Sequence, residues 1–234
     1  MRVTLLLSLF ALNLMASDFH FLEVKNLYIP EGFDSNDKAE VVIESIVPNI
    51  CFSAPKTTAI NIGKKIYVTL TAEYVKTREK CDAGRPTFIV AATMEHALKK
   101  GTYTVIVNAG TEFETKGKLK IKEATTLAAD DYHYANVESV IVNEKTGIVT
   151  MKGFNPSYCF EKIEPILSDN KKDVVNILPV MTKVSELCPM KLVPFLWTVN
   201  LNDHALNVNK DKFLIHVRSM LGNSVNVMYN RSEK

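Results

Sequence analysis

One short phrase occurs twice in this chain and guides the interpretation of the rest. The stretch MEHALKKGTYTVIV at Met94–Val107 has a counterpart, NDHALNVNKDKFLIHV, at Asn202–Val217. Each copy has an acidic residue, then His-Ala-Leu, a polar segment, and an aromatic residue that opens an alternation of apolar and polar positions. Such an alternation is typical of a β-strand with one buried face. The repetition therefore indicates either a paired active site or a duplicated β domain.

The similarity extends well beyond this phrase and favours a duplicated domain. At an offset of 108 residues, VPNICF at Val47–Phe52 falls on NPSYCF at Asn155–Phe160, with the proline, the cysteine and the phenylalanine in register. Cys81 falls beside Cys188 at nearly the same offset. A repeat unit of about 105 residues has the size of a domain and is too long for a solenoid repeat.

Domain boundaries follow from the repeat. We expect a signal peptide at 1–17, a first domain at 18–123, a linker at 124–131 and a second domain at 132–234. The linker, ATTLAADD, contains Leu127 as its one large apolar residue. We therefore expect little hydrophobic core to cross the boundary between the two domains.

The apolar pattern inside each repeat has a period of two, which predicts β-strands rather than helices. Each repeat should contain about seven short antiparallel strands, which is typical of a β-sandwich. In the first repeat the predicted strands lie near 21–29, 39–47, 51–60, 66–76, 86–93, 102–108 and 112–122. The fold class predicted from the pattern is therefore all-β, with two tandem β-sandwich domains.

The stretch ALKKGTYTVIVNAG at Ala97–Gly110 resembles a strand of secreted immunoglobulin-like and fibronectin-III-like domains, in which a turn precedes Gly-x-Tyr-x-Val-x-Val. The second copy keeps the aromatic residue and the alternation but has Asp211 in place of Gly101. The resemblance implies two tandem immunoglobulin-like domains and no particular activity. The chain departs from antibody domains because the first repeat lacks tryptophan and its cysteines are only 30 residues apart.

The first residues predict export. Arg2 is followed by VTLLLSLFALNLMAS at Val3–Ser17, an apolar run of the length found in signal peptides and too short to cross a bilayer. The small residues Ala16 and Ser17 before Asp18 suit cleavage. No later stretch is long and apolar enough for a transmembrane helix. We therefore expect a periplasmic or secreted protein.

The cysteines support the same compartment. An even number of cysteines in an exported chain predicts disulfides, and the closely spaced Cys-x-x-Cys pairs of zinc sites do not occur. Their parallel placement in the two repeats predicts one bond within each repeat, Cys51–Cys81 and Cys159–Cys188. Each bond should close the open end of a hairpin, with turns near 63–65 and 169–172.

The repeated histidines allow two interpretations. Glu95-His96 and Asp203-His204 could form an acid–base or metal-binding pair, but one histidine beside one carboxylate supplies too few ligands for a stable metal site. The alternative is a structural loop, in which the acidic residue caps backbone amides, the alanine and the leucine are buried under the sandwich and the histidine fills a half-buried corner. We favour the structural loop and expect no metal site.

Other candidate sites are weaker. The chain contains no known catalytic motif, so we expect neither catalytic residues nor a cofactor and predict that the protein is not an enzyme. Asp130 and Asp131 could bind calcium between the domains, although a solvated linker is the preferred interpretation. Trp197 is expected in the core. A row of lysines is the weak binding candidate, or else a solvated face that prevents aggregation at a sheet edge: Lys116, Lys118, Lys120 and Lys122.

These observations predict an exported interaction, adhesion or structural module of the cell envelope or extracellular space. Its partner would be another envelope or extracellular protein or a glycan, and the net charge of +2 gives no reason to expect a nucleic acid. One alternative is a periplasmic chaperone of the pilus type, which also has two such domains. Another is an enzyme or inhibitor that acts through its loops. The sequence does not indicate an oligomeric state.

Overall fold

The computed structural model describes residues 18–75, 80–128, 130–189 and 191–231. The predicted signal peptide, 1–17, lies outside the described residues. In the described part, the regular structure is β-strand apart from two short 3-10 turns, Leu201–Asp203 and Met220–Gly222. No helix among these residues is long and apolar enough to span a membrane. The prediction of an all-β protein is confirmed.

The N-terminal half, residues 18–123, contains nine strands in its described part. Three antiparallel strands form one sheet in the order β2-β4-β7. A second sheet has the order β1-β6-β8-β9-β3, with β5 also paired to β6. The bounds are β1 Phe19–Phe21, β2 Glu23–Tyr28, β3 Phe33–Asp34, β4 Glu40–Ile46, β5 Lys56–Ile62, β6 Lys65–Glu73, β7 Thr87–Thr93, β8 Gly101–Val107 and β9 Thr115–Lys122.

The C-terminal half, residues 132–231, contains ten strands in its described part. They form sheets in the orders β11-β12-β17, β14-β15-β18-β19 and β10-β16-β13. The bounds are β10 His133–Tyr134, β11 Asn136–Asn143, β12 Ile148–Asn155, β13 Phe160–Lys162, β14 Ile166–Asp169, β15 Val174–Leu178, β16 Val180–Lys183, β17 Val193–Asn200, β18 Lys212–Ser219 and β19 Asn223–Asn230.

The two halves share one strand order, which supports the duplication. The sheet β2-β4-β7 corresponds to β11-β12-β17, and β5-β6-β8-β9 corresponds to β14-β15-β18-β19. Both halves contain a corresponding parallel pair, β6 with β8 and β15 with β18, and the N-terminal half contains a second parallel pair, β3 with β9. The prediction of purely antiparallel strands is wrong at these pairs. In the corresponding pair, the intervening strand β7 or β17 lies in the other sheet, so the strand after it returns in the original direction.

Each half has its own hydrophobic core between its sheets. Alternate residues of β8 and of β18 enter these cores at matching positions: Tyr103, Val105 and Val107 in the first, and Phe213, Ile215 and Val217 in the second. Trp197 is buried in the second core, as predicted. The apolar alternation thus identified the inward side of these strands correctly.

The two disulfides join the cysteines that the repeat pairs. Cys51 and Cys81 are bonded with their Cα atoms 5.3 Å apart, and Cys159 and Cys188 with theirs 5.6 Å apart. The first bond closes the open end of the β5–β6 hairpin. The second does the same where β13 pairs with β16, beyond the β14–β15 hairpin. Two such bonds indicate an oxidising, extracytoplasmic location.

Candidate functional site

Strands β4 and β18 are buried on both faces, which leads to the candidate site. Neither strand has an exposed residue except Lys212 at the start of β18. Alternate residues of each strand face its own core, and the residues between them face the other half of the molecule. The outer face of the sheet β2-β4-β7 therefore packs against the outer face of the sheet that contains β15, β18 and β19.

An apolar cluster lies at this interface. Its fully buried members come from both halves: Tyr28, Val42, Val174 and Leu214. The partly buried Ile89, Ala91 and Met228 pack against it. The prediction that little core would cross the boundary is therefore wrong. The apolar content of the linker did not predict this contact, because the contact is made by strands that are distant from the linker.

The first polar layer of the interface surrounds Glu44. The Lys212 ammonium group donates to Glu44 Oε1 at 2.7 Å. Asn26 and the Tyr28 hydroxyl donate to Oε2 at 2.7 and 3.0 Å. Burial raises the pKa of Glu44, but hydrogen bonds from Lys212, Asn26 and Tyr28 outweigh it and bring the pKa to about 2. The buried carboxylate is therefore ionised and fully partnered.

The second polar layer surrounds Glu40. Ser224 and Asn226 each donate to Glu40 Oε1 at 2.7 Å, and His216 Nδ1 lies 3.4 Å from the same atom. Burial raises the pKa of Glu40, but the adjacent His216 ring and the hydrogen bonds from Asn226 and Ser224 lower it to about 2. The His216 side chain is itself completely buried.

The third polar layer surrounds Arg218. Its guanidinium group contacts both carboxylate oxygens of Asp37, at 2.8 and 3.2 Å, and Asp130 Oδ1 at 3.0 Å. The rings of Phe33 and Tyr134 lie 4.9 and 5.3 Å from its Cζ atom. Burial lowers the pKa of Arg218, but the bonds to Asp37 outweigh it and raise the pKa above its ordinary value. Arg218 thus joins β18, the segment before β4, and the linker.

The charges of the three layers are specific to this interface and do not recur in the repeat. Glu40 and Glu44 correspond by position to Ile148 and Lys152. The other comparison is between β18 and β8: Lys212, His216 and Arg218 correspond to Thr102, Ile106 and Asn108. Core positions are alike in the two halves, whereas interface positions differ. The sequence patterns did not predict this site, although charges of opposite sign at alternate positions of two strands were a usable signal.

The linker is folded onto the N-terminal half. Asp131 accepts hydrogen bonds from the backbone and side chain of Thr125, at 2.7 and 2.6 Å, and from the Asn36 amide at 2.9 Å. These bonds, with the side chain of Thr125 contributing most, lower the pKa of Asp131. Asp130 faces Arg218 instead. The two carboxylates therefore serve separate structural contacts, and a shared calcium site is not supported.

A pocket of about 260 Å³ lies beside the third layer, and we call it the junction pocket. It is formed by the end of the linker, by β10, β13 and β16, and by the turn between β18 and β19. Its lining residues are Ala128, Asp130, Tyr132, His133, Tyr134, Asn155, Pro156, Phe160, Met181, Met220 and Leu221. Asp130 belongs to both the pocket and the Arg218 layer. Burial, the largest effect, raises the pKa of Asp130 to about 6 despite the opposing charge of Arg218.

The repeated histidines lie apart from the interface layers and the junction pocket. Leu98 is buried as expected, but His96 is exposed and lines a shallow cavity with Met94 and Ile60. The prediction of a half-buried corner is therefore wrong for His96 and confirmed for His204. The reason is that the loop after β7 buries its leucine and leaves the histidine on the outer side.

The acidic partners of the histidines also differ from the prediction. Asp203 accepts from the side-chain amide of Asn200 at 2.9 Å, rather than capping a backbone amide. It lies in the 3-10 turn Leu201–Asp203, which has no equivalent at Glu95. Both alanines of the motif are exposed and Leu206 is only partly buried, so the predicted burial of Ala and Leu is correct in full only for Leu98.

The lysine row lies on β9 as predicted. All four side chains are exposed, and Lys116 pairs with Glu114 at 2.7 Å. Strand β3 pairs with β9 only at Ile121 and Lys122, and no other strand of the described residues pairs along that edge. Lysines on an open edge discourage pairing with other sheets. Whether the row also binds a partner stays a prediction.

The candidate site has two parts. The charged interface binds the two halves to each other, and the junction pocket is an apolar cavity with a carboxylate in its wall. Among the described residues, no group of three or more His, Cys, Asp or Glu side chains could hold a metal ion. Comparisons of the chain with protein-family models, with curated proteins and with solved structures found no match.

Proposed function

We propose that the protein is an exported, non-enzymatic interaction module whose two immunoglobulin-like β-sandwiches are held in one orientation. The observation that carries the proposal is the interface with three charged layers. Each buried charge needs its partner in place, because an unpaired buried charge costs several kcal/mol. A changed angle between the halves would separate Arg218 from Asp37 and Lys212 from Glu44. The interface therefore favours a single arrangement.

The strand order supports the immunoglobulin-like part of the proposal. Each half places a three-stranded sheet opposite a four-stranded group, with a hydrophobic core between them. The parallel pair in each half departs from the fully antiparallel sheets of immunoglobulin domains. We therefore propose a variant sandwich, in which β6 and β15 lie between the first strand of their hairpin and the strand that carries the repeated Tyr103 or Phe213.

A fixed orientation suits a binding or spacing role. A partner that contacts both halves meets a surface that is already arranged, so association does not have to order it. The proposed partner is an envelope or extracellular protein or a glycan. The exposed lysine row on β9 is the candidate contact for an acidic surface.

A chaperone that adds a strand to its client is the second candidate, and β5 supports it. In the described part, β5 pairs only with β6. Its Ile60 and Ile62 side chains are 59% and 62% exposed. A strand edge with exposed apolar side chains can accept an extended peptide through backbone hydrogen bonds. We keep the binding module as the first proposal, because the interface fixes the arrangement of both halves. The exposed β5 is a feature of one sheet edge only.

Capture experiments test the proposal. The oxidised protein, cleaved after the predicted signal peptide, is immobilised and exposed to an envelope extract and to a glycan array. We expect one saturable partner. Loss of its binding after Lys118→Glu and Lys120→Glu would locate the contact on β9, and loss after Ile60→Lys would favour the chaperone. Failure to retain any protein or glycan would contradict an interaction role.

A further inference from the structure

The size of the junction pocket limits what can occupy it. Its volume is about 260 Å³. An apolar cavity of roughly 150 Å³ holds benzene, and pockets for drug-sized ligands are roughly 300–1,000 Å³. The junction pocket therefore has room for one ring with a short substituent. It is too small for a folded peptide segment or a fused-ring cofactor.

The walls of the pocket are mainly aromatic and thioether side chains. The rings of Tyr132 and Tyr134 lie 6.2 Å apart and are tilted by 43°. Phe160 and the two methionines, Met181 and Met220, complete the apolar lining. Aromatic rings and methionine sulfur make favourable contacts with a further ring. The lining therefore favours an aromatic ligand over a sugar or a free ion.

The wall contains two hydrogen-bond acceptors, one ionised and one without a donor in the described part of the chain, together with two tyrosine hydroxyls and the His133 imidazole. Asp130 supplies a carboxylate, and its pKa of about 6, raised chiefly by burial, leaves most of it ionised at pH 7. Asn155 is 7% exposed, and its Oδ1 atom has no hydrogen-bond partner among the described residues. Arg218, the nearby cation, lies behind Asp130 and is not part of the lining. The pocket therefore suits a ligand that carries a donor and disfavours an anion.

The rim of the pocket contains a residue that the fold alone does not explain. Leu221 has φ of 63°, a left-handed conformation that suits glycine or asparagine better than leucine. Its side chain is 65% exposed. A turn between β18 and β19 has no need of an exposed leucine there. Strained residues of this kind are concentrated at functional sites, and Leu221 places an apolar group where it can cover a bound ring.

We propose that the junction pocket binds a small molecule with one aromatic ring and a hydrogen-bond donor, such as an aromatic amine or alcohol. The ring lies among Tyr132, Tyr134 and Phe160, and the donor points to Asp130. Leu221 covers the open side. This site is separate from the surface that would bind a macromolecular partner, so either can exist without the other.

Methionine methyl NMR tests the proposal directly. Benzylamine, benzyl alcohol and benzoate are titrated into the oxidised protein at pH 7, with the methyl signals of Met181 and Met220 assigned by substitution. We expect saturable shifts of these signals with benzylamine and benzyl alcohol. Binding of benzoate should be at least about tenfold weaker, because its charge opposes that of Asp130.

Two variants distinguish the pocket from nonspecific binding. Leu221→Asn keeps a residue that tolerates the turn and removes the cover, so the affinity for benzyl alcohol should fall about tenfold. Leu196→Asn is the control, because Leu196 is 57% exposed and outside the pocket. If Leu221→Asn does not fold, Tyr132→Ala at the rim replaces it. Absence of saturable shifts at both methionines, equal affinity for benzoate, or equal loss in the control would overturn the proposal.

Discussion

Replacement of Arg218 by leucine should strongly destabilise the folded protein. The Arg218 side chain is 2% exposed, and those of Asp37 and Asp130 are 3% and 10% exposed. Leucine fills part of the space between Phe33 and Tyr134 but leaves both carboxylates without a cation. The damage therefore comes mainly from uncompensated charge rather than from lost volume.

The expected loss follows from measurements on buried ion pairs. Removal of one partner typically costs about 3–5 kcal/mol, because the remaining charge is buried without compensation. For a chain of this size, each kcal/mol corresponds to roughly 2–4 °C in the melting temperature. We therefore expect the melting temperature of Arg218→Leu to fall by roughly 6–20 °C. The related change Arg218→Lys should cost less, because lysine keeps the charge but loses the paired contact with Asp37.

Urea unfolding and thermal melting of the oxidised protein measure the effect. Lys120→Leu is the matched control, since Lys120 is exposed on β9 and its replacement should change stability by less than about 0.5 kcal/mol. The stability deficit of Arg218→Leu should shrink between pH 7 and pH 4, because burial raises the pKa of Asp130 to about 6 and its carboxylate loses its charge in this range. A loss below about 1 kcal/mol, or a deficit independent of pH, would show that the Arg218 charge does not stabilise the interface.

Three further predictions concern other parts of the molecule. The folded-state pKa of Glu40 is lowered from 4.5 to about 2, so its stabilising contribution is present above pH 4.5 and is lost as the pH falls toward 2. Urea unfolding from pH 6 to pH 2 should show a shallower loss for Glu40→Gln. Replacing Cys51 and Cys81 by serine should cost about 3–4 kcal/mol by loop-closure entropy, and non-reducing peptide maps should show these two linked in the native protein. His96→Ala and His204→Ala should leave any zinc or copper binding unchanged in calorimetry, and its abolition by either change would restore the metal-site interpretation.

Local sequence patterns predicted much of the fold, because the alternation that defines a strand involves residues adjacent in sequence. The alternation in β6 and β8 predicted strands close to the observed Lys65–Glu73 and Gly101–Val107. The positions of Cys51 and Cys81 indicated a closed hairpin. The pairing between strands was harder to predict from the sequence. Strands β6 and β8 are parallel because β7 lies in the other sheet, and the apolar alternation would be the same if β7 lay in their own sheet.

The candidate site was not predicted, for a related reason. Alternation shows which side of a strand is apolar, and it treats a polar residue such as Glu40 as solvent-facing. Glu40 is instead covered by β18 and β19, more than 170 residues later in the chain. The junction pocket is likewise assembled from segments far apart in sequence. The pair Leu221-Gly222 was the one sequence feature that could have indicated the pocket, since leucine is unusual before glycine in a turn between two strands.

Residual dipolar couplings can show whether the charged interface holds the two halves in one orientation. Backbone N–H couplings are measured for both halves in one weakly aligned sample of the oxidised protein at pH 7. A single alignment tensor should fit residues of both halves at the orientation set by the Arg218–Asp37 and Lys212–Glu44 contacts. Alignment tensors of different magnitude in the two halves would show that they move independently, which would contradict a single orientation.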